Sequence, residues 1–76
     1  MYYTNEEEVI NDMTYNILDT NKHNNVQFIE DIVKKTVKEE LYKMGGLKSL
    51  NCLMYTKKDL YTNINNKLYW VFEIYR

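Results

Sequence analysis

Apolar positions along the chain form two helical stripes followed by two extended-looking runs. Over residues 4–19, Val9, Ile10, Met13, Ile17 and Leu18 recur at spacings of three and four, one face of an amphipathic helix. Thr4 or Asn5 can cap it, and Glu6, Glu7 and Glu8 suit the positive end of its dipole. No His or Asp partner set accompanies that acidic run, so it reads as a solvated first turn rather than a metal site. Residues 20–25 form a polar break. A second helix is expected over residues 26–44, capped by Asn24 or Asn25. Its stripe is Val26, Ile29, Ile32, Val33, Val37, Leu41 and Met44, widened by Phe28, with Lys34, Lys35, Lys38, Glu39 and Glu40 on the other face. Gly45-Gly46 ends it, because glycine accepts the left-handed conformation of a C-cap.

After the glycines the period becomes strand-like. Over residues 47–55, Leu50, Cys52 and Met54 alternate with Leu53 and Tyr55. Thr56-Lys57-Lys58-Asp59 reads as a short hairpin turn, and a second extended run follows over residues 60–76, interrupted at Asn63-Ile64-Asn65-Asn66. The expected class is therefore α+β: two N-terminal helices packed on an antiparallel sheet, with two strands of that sheet present. The last run, from Leu68 through Tyr69, Trp70, Val71, Phe72 and Ile74 to Arg76, is rich in residues that prefer strands. An uncovered strand of this kind is a sticky edge that soluble proteins blunt or bury. Either another chain covers it, or part of the domain is missing.

Size and composition sharpen that expectation. Seventy-six residues make one domain, residues 1–76, near the limit at which a single core suffices. One Cys allows no internal disulfide, and one His with one Cys cannot close a four-ligand zinc site. Association with another chain is the remaining way to add stability. A net charge of −1 lacks the basic footprint of a nucleic-acid module. No apolar stretch approaches a membrane span, and the acidic N-terminal region is unlike a signal peptide, so a soluble intracellular protein with no membrane partner is expected. The absence of Ala and Pro beside many Asn, Lys, Tyr and Ile suggests an A+T-rich coding sequence.

Candidate chemistry is sparse. His23 lies in the expected interhelix break with no nucleophile at a recognisable spacing, and reads as a loop or capping residue. Cys52, mid-strand between Asn51 and Leu53, reads as a small core residue. Gly45-Gly46 follows a helix, the reverse of the strand-to-helix order of a phosphate loop. No enzyme and no cofactor are expected.

Taken in order, His23, Val26, Phe28, Ile32-Val33, Thr36-Val37, Leu41 and Lys43-Met44-Gly45, then Cys52 and Tyr69-Trp70, resemble the Tctex-type dynein light chains over about residues 6–70. In that family the second helix ends in Lys-Leu-Gly, a strand with Cys follows, and an aromatic-Trp pair lies on the next strand. The Gly45-to-Cys52 link is about two residues shorter than the family pattern, Lys57-Lys58-Asp59 replaces a glycine-containing hairpin, and the two strands that follow the Trp in the family have no counterpart. The resemblance thus implies a C-terminally incomplete light-chain domain. It further implies a non-catalytic adaptor subunit of the dynein motor complex, cytoplasmic and cytoskeleton-associated. Such a subunit would form a homodimer by strand exchange and bind a segment of the dynein intermediate chain. By position, the exchanged strand would present Leu60, Thr62, Ile64, Leu68 and Trp70. The alternatives are an interaction domain unrelated to dynein, or a non-functional fragment.

Overall fold

The computed structural model describes residues 4–52 and 55–75. Four helices follow one another: α1 (Glu6–His23), α2 (Glu30–Lys43), the single turn α3 (Leu47–Leu50) and α4 (Lys57–Tyr75). Among the described residues there is no strand, which corrects the expected α+β class to an all-helical one. The two expected strands are α3 with its flanks, and α4. Leu53 and Met54, placed in the first of them, lie outside the described residues.

The first helix starts where its cap allows. Asn5 Oδ1 accepts from the Glu8 N–H at 2.7 Å, and Glu6, Glu7 and Glu8 occupy the first turn. It runs past the expected end at Asp19, because Asn21 continues the buried series Val9, Ile10, Met13, Ile17 at the next helical position. Asn25 then ends it in the left-handed conformation (φ 61°). The Val26 N–H donates back to Asn21 O (2.8 Å) and the Asn25 N–H to Lys22 O (3.0 Å), the paired bonds of a Schellman cap with Asn in the glycine role. Those bonds hold residues 26–29 out of the second helix, which begins four residues later than its apolar stripe suggests.

Ile29, extended at ψ 124°, is the N-cap of α2 and offers no side-chain bond. The helix closes as expected. Gly46 N–H donates to Leu41 O (2.8 Å) and Gly45 N–H to Tyr42 O (3.1 Å), with φ of +102° at Gly45 and +78° at Gly46. Its buried face is Val33, Thr36, Val37 and Leu41, so the expected stripe is too wide: Ile29 and Ile32 face solvent.

Residues 56–59 form a helix start instead of a hairpin turn. Thr56 Oγ1 accepts the Asp59 N–H (3.2 Å), the N-cap half of a capping box, and its hydroxyl donates to the Asp59 carboxylate (2.9 Å). From there Leu60, Ile64 and Leu68 recur every fourth residue, and all three are buried with Val9, Met13, Ile17, Val33, Val37 and Leu41 in one core.

Two cross-links on either side orient α4. Lys57 pairs with Asp12 and Asn65 with Asn21, so α4 runs parallel to α1. Lys67 donates to Glu40 at 2.7 Å while the end of α4 approaches the start of α2, so these two are antiparallel. Asn65 stands beside Asn21, two residues before α1 ends, yet α4 continues to Tyr75. Its last turns, about 12 Å of helix at 1.5 Å per residue, overhang the end of α1 alongside the first turns of α2.

Candidate functional site

Beneath that overhang lies an apolar groove of about 270 Å³, lined by Gln27, Phe28, Ile29, Ile32, Leu68, Val71 and Phe72. Its floor exists because the Schellman cap keeps residues 26–29 out of helix at this end of the bundle. Phe28 is fixed there by edge-to-face contacts with Tyr69 (6.0 Å between ring centroids) and Phe72 (5.6 Å). Beside the groove the apolar surface continues. Ile29 is 66% exposed, Ile32 45%, Trp70 62%, Phe72 36% and Ile74 54%. Ile74 follows Trp70 by one turn and Val71 by three residues, so these three share one side of α4, while Phe72 faces the other way onto Phe28. Among the described residues Tyr15 and Tyr42 are the other large exposed apolar side chains, and the exposed run at the α2–α4 end does not include them.

The polar neighbourhood of this face is spare. Lys67, next to it on α4, donates to Glu40 and lies 3.9 Å from Glu39. The hydrogen bond to the Glu40 carboxylate raises its pKa above the ordinary lysine value, against a smaller opposing effect of burial. Lys35 and Glu73 are exposed and have no ion-pair partner among the described residues.

The residues singled out for chemistry fall elsewhere. His23 sits in the last turn of α1, where its Nε2 lies 3.8 Å from Asp19 Oδ2, both exposed. Cys52 is exposed rather than part of the core, and its thiol donates to Lys48 O at 3.3 Å. Each has its partner four residues back along the chain, and neither arrangement supplies a nucleophile with its base. A wider, open depression touches Asn16, Thr20, Lys57, Lys58 and Tyr61, but Asp12 neutralises Lys57 there. Among the described residues no three His, Cys, Asp or Glu side chains converge as a metal site would need, and no helix is long and apolar enough to cross a membrane.

The five residues assigned to an exchanged strand do not share a face. Leu60, Ile64 and Leu68 are inside the core; Thr62 and Trp70 are exposed on the opposite side of α4. Sequence spacing places Ile29 and Ile32 in the buried stripe of their helix, and so misses their part in the exposed face. A signal is present for Ile32, which lies off the fourfold spacing of Val33, Val37 and Leu41; Ile29 lies on that spacing and is exposed because the helix begins only after it. No family model matches the chain, and no curated protein and no solved structure gives a match.

Proposed function

We propose that this chain is a non-catalytic interaction module whose working surface is the apolar face joining the start of α2 to the overhang of α4. The observation that carries this reading is the run of exposed Ile29, Ile32, Trp70 and Ile74 beside the groove that Phe28, Val71 and Phe72 line, at the end of the bundle where α2 starts and α4 finishes. Single exposed apolar residues are ordinary, whereas a contiguous patch rimmed by polar residues marks an interaction site. The groove between two antiparallel helices offers the geometry that takes an amphipathic helix by anchors at i, i+3 and i+4. A dynein light-chain role would need another mode of contact than the strand edge implied by the family resemblance, because the candidate strand is helical.

A helical peptide library displayed on phage, selected against the folded chain, tests the reading. Peptides with an apolar stripe should be enriched, and their binding should be lost on an Ile29→Lys/Ile74→Lys variant whose circular dichroism and melting match the parent. Enrichment only of peptides that bind parent and variant equally, or of none, would overturn it. A dynein intermediate-chain peptide belongs among the individual probes, since capture through this face would join the two readings.

A further inference from the structure

We infer that the occupant of the apolar face is a second copy of the same chain, packed face to face about a two-fold axis that runs parallel to α2 and α4. This inference rests on the docking reading above and adds the identity of the partner.

Charge placement is the first argument. Lys35 follows Ile32 by three residues and Glu73 follows Trp70 by three, so each stands at the outer edge of the face, one on α2 and one on α4. They also stand at one height. Glu40 meets Lys67 across the antiparallel pair, and Lys35 lies five residues before Glu40 while Glu73 lies six after Lys67. At that shared level the face therefore carries Lys35 on its α2 edge, with Asp31 one turn away, and Glu73 on its α4 edge. A two-fold axis along the helices lays the Lys35 edge of one copy on the Glu73 edge of the other, twice, whereas an axis across the helices would set like charge on like. A net charge of −1 opposes self-association very little.

Helix direction agrees with the same axis. It places α2 of each copy beside α4 of its partner, so every neighbouring pair among the four helices is antiparallel, as in an up-and-down bundle. An anionic membrane surface is the poorer occupant, because such surfaces select faces flanked by Lys and Arg, and here Asp31 and Glu73 accompany Lys35.

Area is the third consideration. An aromatic side chain can bury roughly 150–250 Å²; a partial share from Trp70, with smaller ones from Ile29, Ile32 and Ile74, comes to on the order of 400 Å² per copy. The total of about 800 Å² lies below the roughly 1,000 Å² of a stable specific interface, among weak and transient ones. A dimer with a dissociation constant on the order of micromolar or weaker follows, since larger interfaces already span micromolar to picomolar.

Sedimentation equilibrium over a wide concentration range tests this with four samples: the parent, Lys35→Glu, Glu73→Lys, and an equimolar mixture of the two variants. The parent should dimerise reversibly, and emission of Trp70, the chain's single Trp, should shift to shorter wavelength as it does. Each variant alone sets like charges together at both edges and should dimerise about tenfold more weakly. Their mixture restores opposite charges across the edges and should form a heterodimer near parental strength. A parent that stays monomeric to millimolar concentration, or variants that dimerise as the parent does, would overturn the inference. A monomeric parent that still selects face-dependent peptides leaves the docking reading standing, while failure of both experiments removes both.

Discussion

The side-chain amide of Asn21 donates to Asn65 Oδ1 at 2.9 Å, joining α1 to α4 inside the bundle. The same NH₂ group donates to Ile17 O at 2.7 Å, which fixes the amide orientation, because the flipped carbonyl could donate to neither. Asn21 is only 1% exposed, and its Oδ1 has no hydrogen-bond partner. A buried orphan acceptor costs roughly 1–3 kcal/mol, about what the two bonds return. Asn65→Ala should lower stability by about 1 kcal/mol in urea unfolding, since Asn21 keeps its bond to Ile17. Asn21→Leu removes the orphan and should leave stability unchanged or raise it. A loss above about 2 kcal/mol for that variant would show instead that the polar pair sets how α4 registers on α1.

Neighbouring substitutions on α4 separate a helix from the strand that composition suggests there. Leu60, Thr62 and Ile64 would share one face of a strand, but in the helix Ile64 is fully buried and Thr62 is exposed, donating to Lys58 O at 3.0 Å. Ile64→Ala should cost about 2–5 kcal/mol, a large part of what a domain of this size possesses. Thr62→Ala should change stability by no more than about 0.5 kcal/mol. Thermal melts of the two variants give the comparison. Similar losses for both would restore a shared face and argue against the helix.

Both long N-terminal helices and the Gly45-Gly46 stop are legible in the sequence, because period and caps agree. The sheet is a misreading. Tyr, Trp, Val, Phe and Ile at the end of the chain favour strands, and there propensity outweighs spacing. The signs of a helix are the fourfold spacing of Leu60, Ile64 and Leu68, the polar Thr62, Asn63 and Asn66 between them, and the lack of any Gly or Pro over residues 57–75. Thr56 and Asp59 hold the decisive local signal. The same Thr-x-x-Asp reads as a turn if strands follow and as a capping box if a helix does. Thr56→Ala should therefore cost about 1 kcal/mol and lower the helical circular dichroism, whereas a loop Thr would be silent. The apolar face is half legible. The uncovered apolar character of residues 68–74 is evident from sequence, but its partner surface at Ile29 and Ile32 reads as core.

Lys67 gives the bundle a pH dependence of known sign. Its pKa is raised in the folded state, chiefly by the hydrogen bond to Glu40, so the folded chain holds this proton more tightly than the unfolded one. The associated stability is fully present below the ordinary lysine value and is lost as pH rises through the raised one. Tyrosines ionise in the same range, so the comparison must be between variants. Lys67→Met and Glu40→Gln, each against the parent, should differ from it by about 0.5–1 kcal/mol at neutral pH and converge with it at strongly alkaline pH. A gap that persists undiminished in alkali would assign the effect to packing of the lysine stem instead.

The overhang of α4 predicts what limits the chain's solubility. Val71 lines the groove and Ile74 is more than half exposed, so Lys at position 74 replaces apolar surface with charge at little cost, while Lys at position 71 loses some packing. The Ile29→Lys/Ile74→Lys variant changes one residue on each wall of the face and leaves Val9, Met13, Ile17, Val33 and Ile64 in the core untouched. It should melt within a few degrees of the parent and tolerate a several-fold higher concentration before scattering light. Tyr15→Lys, made on α1 away from the face, adds a positive charge without touching it and should bring little of that gain. Equal gains from both would mean that charge alone governs solubility. A gain confined to the face variant would identify the overhang, with Ile29 opposite, as the surface through which copies meet.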